Sequence, residues 1–386
     1  MKIIYYSPHP HLNLSDPAGY ATHMREIING FRNMGHQVIT FIAGGEKRNA
    51  GPTAGGKTKK SILRKIIPSL IWETLKDLKM KRQDNKRFSE LCEIIEKEKP
   101  DLIYERGYYL LDSGARAAKK KEISYFLELN APYKEERVEM SGKSLLASPA
   151  EKKLRKQLDC VKKLIVVSSA LKEYYIKDYQ VNKEKILITP NAYNPQLLQN
   201  YKAPKPEDKQ RLEGKTVIGF VGSIFPYHGV DKLVRAFNAV KKKHGNIFMV
   251  VVGDGETLPE LKKLASELKI EKDILFTGNI PQEEAYGYIH CFDIAVMADS
   301  NWYGSPVKIF EYGAMKKTVI APDTIPVRDV FEDGKDGILI KNETELERAL
   351  LKCITDKKFS AACADNFFRK VTAEHTWQKM AALILE

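Results

Sequence analysis

Twice along the chain, short apolar runs of strand length alternate with amphipathic helical patterns, and this alternation constrains the fold more than any other feature. Residues 2–7 read as a buried strand. A polar loop over 8–18 ends in Gly19, and residues 20–34 place Met24, Ile27, Ile28 and Phe31 on one helical face. Gly35-His36 stops that helix, and 37–43 form the next strand. Strand, glycine-containing loop, helix, strand is the opening of a doubly wound parallel sheet. Further strands are expected at 101–105, 124–129, 164–168 and 186–189, with helical patterns from Pro68 to 97 and over 170–177. A second series starts at 216. Its strands are expected at 216–221, 247–252, 274–277, 294–297, 318–321 and 337–340, its helices at 230–242, 258–268, 283–290 and 307–315, and helices fill 343–385.

Between the two series, residues 191–214 are polar and contain Pro195, Pro204 and Pro206, which reads as a linker. A chain of 386 residues suits two domains. The expected class is therefore α/β, with two Rossmann-like doubly wound domains. The first covers 1–195, the linker 196–214 and the second 215–369, with a C-terminal helix at about 370–386 packing back on the first. In open sheets of this kind, ligands bind at the carboxyl ends of the strands. The two sheets are expected to present those ends to each other across a cleft.

Apolar residues make up 43% of the chain, enough for ordinary cores. No stretch approaches the roughly 20 apolar residues of a membrane span. The N-terminus runs straight into a strand without signal-peptide features, so a cytoplasmic location is expected. The five cysteines form no CxxC pair and give no zinc or redox signature. The net charge of +13 leaves nucleic acid, anionic membrane and phosphorylated small molecules as partners. Much of the charge lies in residues 47–87, where Lys47, Arg48, Lys57, Lys59, Lys60, Arg64, Lys65, Lys76, Lys79, Lys81, Arg82, Lys86 and Arg87 interleave with apolar residues such as Ile62, Leu63, Leu70, Ile71 and Leu75. Such a segment suits an anionic membrane surface. A solvated basic helix packed on its own domain would show the same pattern. No nucleic-acid motif accompanies the charge.

Residues 305–314, Ser-Pro-Val-Lys-Ile-Phe-Glu-Tyr-Gly-Ala, follow a strand and open a helix. The free N–H groups and dipole of that end favour an anion. Lys308 in the first turn opposes the dipole, a conflict that a bound phosphate would resolve. Glu311 lies one turn on, and its carboxylate suits two hydroxyls, as on a ribose. A capped helix with a surface Lys and Glu would read the same way.

This segment resembles the S-P-x-K-x-x-E signature of retaining GT-B glycosyltransferases of the group 1, or family four, type. The resemblance implies that Glu311 holds the nucleotide ribose. The family's preceding glutamate would fall at 303, which is Tyr303. Residues 220–231 resemble the family's diphosphate loop around Gly222, with Ser223 and His228 where Arg and Lys are usual. Gly253-Asp254-Gly255 and the stretch Phe276-Thr277-Gly278-Asn279-Ile280 resemble two further loops, the second meeting the base through its backbone. Gly19 matches a loop glycine that lets backbone approach the donor.

The resemblance thus implies a nucleotide-sugar site formed by Gly19, Gly222, Ser223, His228, Gly253, Gly278, Ile280, Ser305, Pro306, Lys308 and Glu311. It implies Lys308 and His228 as a clamp on the leaving diphosphate, no bound metal and no cofactor beyond the co-substrate. Glu105, Arg106 and Asn130 follow strand ends and are expected at the cleft, with Glu105 and Asn130 as catalytic candidates; local satisfaction as charged loop residues is the alternative. The expected function is retaining transfer from a UDP- or GDP-sugar to a glycan, lipid-linked or small-molecule acceptor, in cell-surface polysaccharide or glycoconjugate synthesis. A nucleotide-sugar epimerase of the same architecture and a catalytically silent partner remain alternatives. A dinucleotide-dependent dehydrogenase is disfavoured, because the first loop lacks G-x-G-x-x-G.

Overall fold

The computed structural model describes residues 1–16, 18–46 and 67–386. The lysines and arginines from Lys47 to Lys65 lie outside the described residues. The chain divides into two compact units, Met1–Thr189 with Ala381–Glu386, and Pro190–Met380.

The first unit holds a six-stranded sheet in the order β2-β1-β3-β4-β5-β6. Its strands are β1 (Lys2–Ser7), β2 (Gln37–Ile42), β3 (Leu102–Arg106), β4 (Ser124–Leu129), β5 (Lys163–Val166) and β6 (Ile186–Ile188). Every pairing is parallel. Helices cover both faces, so successive strand residues bury on opposite sides. Tyr5 stacks on Tyr104 at 5.3 Å beneath Phe31 of helix α1 (Gly19–Asn33). Tyr6, one residue on, points the other way and shares a 2.6 Å hydrogen bond with Ser113.

Helix α2 (Ser69–Glu98) ends at Lys99 in the left-handed region, just before Pro100. Three helices follow that the apolar periodicity does not announce: α3 (Ser113–Lys121), α4 (Tyr133–Ser141) and α5 (Ala147–Cys160). The buried residues of α3 are Ser113, Gly114, Ala115, Ala117 and Ala118, small side chains that give no hydrophobic stripe to read. Helix α6 (Ser169–Tyr179) is capped by Ser168, whose hydroxyl accepts from Leu171 N–H.

The second unit begins before the expected linker ends. Residues 196–214 are not an extended connector. They contain α7 (Pro195–Gln199) and α8 (Pro206–Leu212), each with proline in its first turn. Of the three prolines that suggest a linker, Pro195 and Pro206 are helix starters here, and Pro204 lies just ahead of α8. Asn194 caps α7, and Leu212 and Tyr193 join the second unit's core.

That unit's sheet runs β12-β11-β10-β7-β8-β9. Its strands are β7 (Thr216–Val221), β8 (Ile247–Val252), β9 (Ile274–Gly278), β10 (Ile294–Val296), β11 (Thr318–Pro322) and β12 (Gly337–Ile340), all parallel. Ile218, Phe220, Met249 and Val251 bury against one helical layer, while Val217, Phe248 and Val250 bury against the other. The uninterrupted Ile-Phe-Met-Val-Val-Val run of β8 is the signature of a strand covered on both faces. The helices of this unit are α9 (Val230–Lys241), α10 (Leu258–Glu267), α11 (Gln282–His290), α12 (Val307–Ala314), α13 (Ile325–Arg328), α14 (Glu343–Thr355) and α15 (Lys357–Glu374). The last helix, α16 (Trp377–Leu385), gives its final residues to the first unit, where Lys163 donates to the Ile384 carbonyl at 2.9 Å. The five cysteines are free thiols.

Candidate functional site

In the second unit, connections run one way from β7 to β8 and β9 and the other way to β10, β11 and β12. The point where strand order reverses lies between β7 and β10, and it is there that open sheets hold ligands. Three loops meet at these strand ends. Gly222 N–H donates to Val252 carbonyl at 3.0 Å, Ile224 N–H to Asp254 carbonyl at 2.9 Å, and Gly253 N–H to Gly278 carbonyl at 3.1 Å. The approach needs glycine. Gly253 has φ +128°, and a Cβ there would strike the Gly222 carbonyl. Gly222 has φ +139°, and its Cβ would lie 2.8 Å from Lys308 Nζ.

Lys308 comes from the other side of the switch point, in the first turn of α12. Pro306 precedes that helix without a side-chain cap. Asn191 holds the entry: its N–H donates to Ser305 Oγ at 3.0 Å and its side-chain amide to the Ser305 carbonyl. The Lys308 amine is buried, has no hydrogen-bond partner, and sits 4.1 Å from the centre of the Phe220 ring. Burial lowers its pKa to about 7, against the attraction of Glu311. Burial in turn raises the Glu311 carboxyl, opposed by a 2.9 Å hydrogen bond from Tyr286 and by Lys308. An amine and a carboxylate thus stand one turn apart, part-desolvated, around glycine backbone. A ligand oxygen would satisfy the amine.

His228 modifies the clamp expected from sequence. Its Nδ1 lies 2.6 Å from the Ser223 carbonyl, which can only accept. The Nδ1 proton is therefore committed, and the neutral ring offers a lone pair at Nε2, not a donor. Burial, then the charge of Lys308, lowers its pKa to about 3, despite the Ser223 bond. His228 donates to a phosphate only after taking up a proton. The Ser223 side chain is exposed, Gly278 has φ +69° over open space, and Ile280 is half-buried against the core. Tyr303 is buried, its ring edge-on to Trp302 at 5.4 Å.

The first unit places its candidates differently from the sequence expectation. Glu105 and Arg106 do not follow β3 at an open end. They are its last two residues, and both are buried. The pleat sends them to opposite faces. Glu105 meets Tyr125, which donates to it at 2.8 Å, and packs where a Cβ on Gly114 would collide with it. Burial raises its pKa to about 8, against the Tyr125 bond. Arg106 pairs in register with Glu128 and binds it at 2.5 Å.

Glu128 is the hub that sequence reading leaves without a role. It accepts from Tyr104 at 2.5 Å, lies 3.0 Å from His23 Nε2, and accepts from the Asn130 side-chain amide. Burial pushes its pKa up, but His23 and Arg106 outweigh that and hold the carboxyl well below its usual range. Asn130 retains a buried Oδ1 with no partner. Gly19, the first residue of α1, has open space where a Cβ would stand. Tyr286 and Phe220 carry no polar spacing signal, because both read as apolar positions of a helix and a strand. Asn191 is visible in Ile188-Thr189-Pro190-Asn191, but only the fold pairs it with Ser305.

Two family models match almost end to end: Glycosyltransferase Family 4 over residues 17–197 and Glycosyl transferases group 1 over residues 202–369. With two parallel sheets of this construction, they place the chain among the GT-B glycosyltransferases. It is similar to alpha-monoglucosyldiacylglycerol synthase of Streptococcus pneumoniae, 25% identical over 378 residues that span 92% of this chain and 81% of the relative. It is also similar to an uncharacterized glycosyltransferase of Methanocaldococcus jannaschii, 25% identical over 219 residues. That match spans 56% of this chain and 55% of the relative's length. Among solved structures, Anabaena HepE in complex with UDP superimposes with a TM-score of 0.71 at 18% identity, covering 100% of this chain and 98% of HepE.

Proposed function

We propose that the protein transfers a glycosyl group from a nucleotide-diphosphate sugar, a UDP- or GDP-sugar, to a glycan or lipid-linked acceptor, with retention of configuration and without a metal ion. The carrying observation is the Lys308 amine, buried and unpartnered at the helix start beside Gly222, with Glu311 one turn away. A diphosphate would supply the missing oxygen partner, and its charge would hold Lys308 protonated. Glu311 would take ribose hydroxyls. As the glycosidic bond breaks, charge grows on the leaving diphosphate, and the ammonium and the uncapped α12 amides stabilise it. The similarity to a diacylglycerol glucoside synthase favours a lipid-linked acceptor.

Thermal shift with a panel of nucleotide sugars and free nucleotides tests the reading. One donor and its diphosphate should raise the melting midpoint, and Glu311→Ala should remove most of the shift. Anomeric couplings in the product's NMR spectrum report retention, and turnover in EDTA reports metal independence. No shift with any donor would favour a catalytically silent partner, since Ser223, a neutral His228 and Tyr303 stand where the family resemblance implies charged groups. Turnover of donor without acceptor would favour an epimerase.

A further inference from the structure

The second unit carries another concavity, away from its switch point. Strand β12 is at the edge of the sheet, and β11 and β10 stand between it and the switch point. Helix α14 packs over β12 through Leu346 and Leu350. Beside that contact opens a cleft of about 310 Å³. One face of α14 forms its wall: Glu345, Arg348, Ala349 and Lys352, at i, i+3, i+4 and i+7. Ala349 is the small side chain of that face, and it leaves the space between the charged ones. Ile338 and Leu339 of β12, Asp333 ahead of it and Phe359 in the first turn of α15 complete the lining.

The charges of this cleft differ in what they have left to give. Glu345 accepts from Lys341 N–H at 2.8 Å and from the Asn342 side-chain amide at 3.4 Å, and Asn342 Oδ1 accepts from Glu345 N–H at 2.9 Å. This reciprocal cap of α14 occupies both oxygens of Glu345. Asp333 Oδ1 accepts from Leu339 N–H at 2.8 Å, which leaves its second oxygen. Asp356, at the start of α15, accepts from Phe359 N–H at 2.9 Å. The cations are not committed in this way. Among the described residues neither Arg348 nor Lys352 makes an ion pair. Lys352 Nζ lies 3.8 Å from the centre of the Phe359 ring, and Arg348 is exposed.

We propose that this cleft binds a monosaccharide phosphate, at a site separate from that of Lys308. The two cations select the anion. One helical turn apart, they match a phosphomonoester, which carries close to two charges at pH 7. A carboxylate would answer only one of them. The guanidinium of Arg348 can take two phosphate oxygens at once. The acids select the rest of the ligand. A polyanion laid along the cleft would meet Asp333 and Glu345, whereas a single phosphate between Arg348 and Lys352 avoids both. The remaining oxygen of Asp333 accepts a hydroxyl, and Ile338, Leu339 and the Phe359 ring offer an apolar surface to the C–H face of a sugar. The volume is at the lower end of the roughly 300–1,000 Å³ of small-molecule pockets, which suits a monosaccharide phosphate better than a nucleotide sugar. The inference does not depend on the glycosyl-transfer reading.

The test is calorimetry on the full chain at low ionic strength. Glucose 6-phosphate, glucose 1-phosphate and ribose 5-phosphate are the probes, and inorganic phosphate and glucose the controls. At least one sugar phosphate should bind at a single site, glucose should not bind, and inorganic phosphate should bind roughly tenfold more weakly or worse. Arg348→Gln with Lys352→Gln should weaken the sugar phosphate roughly tenfold or more. The melting midpoint should change little, because both side chains are exposed. Lys308→Met should leave the affinity within about twofold, which separates this cleft from the nucleotide site. Absence of binding by all three sugar phosphates at millimolar concentration overturns the proposal, as does binding that survives the double variant. Binding lost in Lys308→Met places the sugar phosphate at the nucleotide site and also overturns it. So does inorganic phosphate binding as tightly as the sugar phosphates, which would reduce the cleft to two surface cations. The donor-induced thermal shift, measured on the same samples, reports separately on the proposed function.

Discussion

A buried amine with no partner is a costly group unless it is neutral or waiting for an anion, and Lys308 is both. Its pKa of about 7 in the free protein gives a signed prediction. A bound diphosphate raises that pKa, so binding takes up a proton wherever the free amine is neutral. Below pH 7 the amine is already charged and affinity is flat. Above pH 7 nucleotide-sugar affinity should fall, by up to roughly tenfold per pH unit, until the pKa of the complex is reached. A nucleotide sugar is the right probe because its diphosphate has no group titrating between pH 7 and 9. Lys308→Met should weaken binding at pH 7 and abolish the slope. Calorimetry in buffers of different ionisation enthalpy checks the proton uptake directly. An unchanged slope in Lys308→Met would show that another group takes the proton.

Glu105 gives a second residue-scale prediction, and it concerns stability. Its folded pKa, about 8, lies above the usual value of 4.5, so the folded state prefers it protonated. The stability this contributes is fully present below pH 4.5 and is lost as pH rises through about 8. Glu105→Gln keeps the shape and removes the proton. Relative to wild type, the variant's melting midpoint should therefore gain roughly 5 °C between pH 5 and pH 9. A constant difference across that range would mean that Glu105 is ionised in the fold. This residue looks catalytic in the sequence, as an acid at a strand's carboxyl end. Its burial follows from register: Arg106 pairs with Glu128, so the pleat turns Glu105 to the opposite face, against Gly114.

At the scale of elements, the sheets are legible because doubly covered strands write themselves as apolar runs. The second unit's three glycine loops are legible because each turns through a positive φ that favours glycine, +139° at Gly222, +128° at Gly253 and +69° at Gly278. Helices fastened by other means are not legible. α3 packs through serine, glycine and alanine, and α7 and α8 are short, proline-started and hidden among polar residues. α2 is legible as a helix but not in its orientation, since its buried face carries Glu73, Asp77 and Asp84 while Ile71, Leu75 and Leu78 are exposed. Arg137, which binds Glu73 at 3.0 Å and Asp77 at 3.1 Å, is the side chain that decides this. Removing it leaves Asp77 buried without its cation and Glu73 with Lys76 alone, 2.8 Å away on the same helix, and breaking such a buried pair costs about 3–5 kcal/mol. Arg137→Ala should lose that much in urea unfolding, whereas Lys143→Ala should be near neutral. If Arg137→Ala is also near neutral, the acids find water and α2 is held by its C-terminal half, where Leu91, Cys92 and Ile95 bury.

At the scale of the whole molecule, the two units differ in what they need from the chain around them. The second unit has an apolar core on each face of its sheet, and the ion pairs and hydrogen bonds around Lys308 close within it. Tyr286 serves Glu311, Ser223 holds His228 and Asn191 holds Ser305. A fragment of residues 190–380 should therefore fold and bind the nucleotide diphosphate within about threefold of the full chain, without transferring sugar. The boundary matters. The sequence alone suggests starting at 215, after the prolines. That cut removes Asn191, which donates twice to Ser305 at the entry to α12, and strips Tyr193 and Leu212 from the core. Two lost hydrogen bonds at about 1 kcal/mol each correspond to a binding loss of roughly tenfold or more. The 215–380 fragment should accordingly melt lower and bind at least that much more weakly than 190–380, by calorimetry at one pH. Equal binding by the two would mean that α12 holds its position without Asn191. Weak binding by both, in fragments that still melt cooperatively, would mean that the first unit takes part in holding the nucleotide itself.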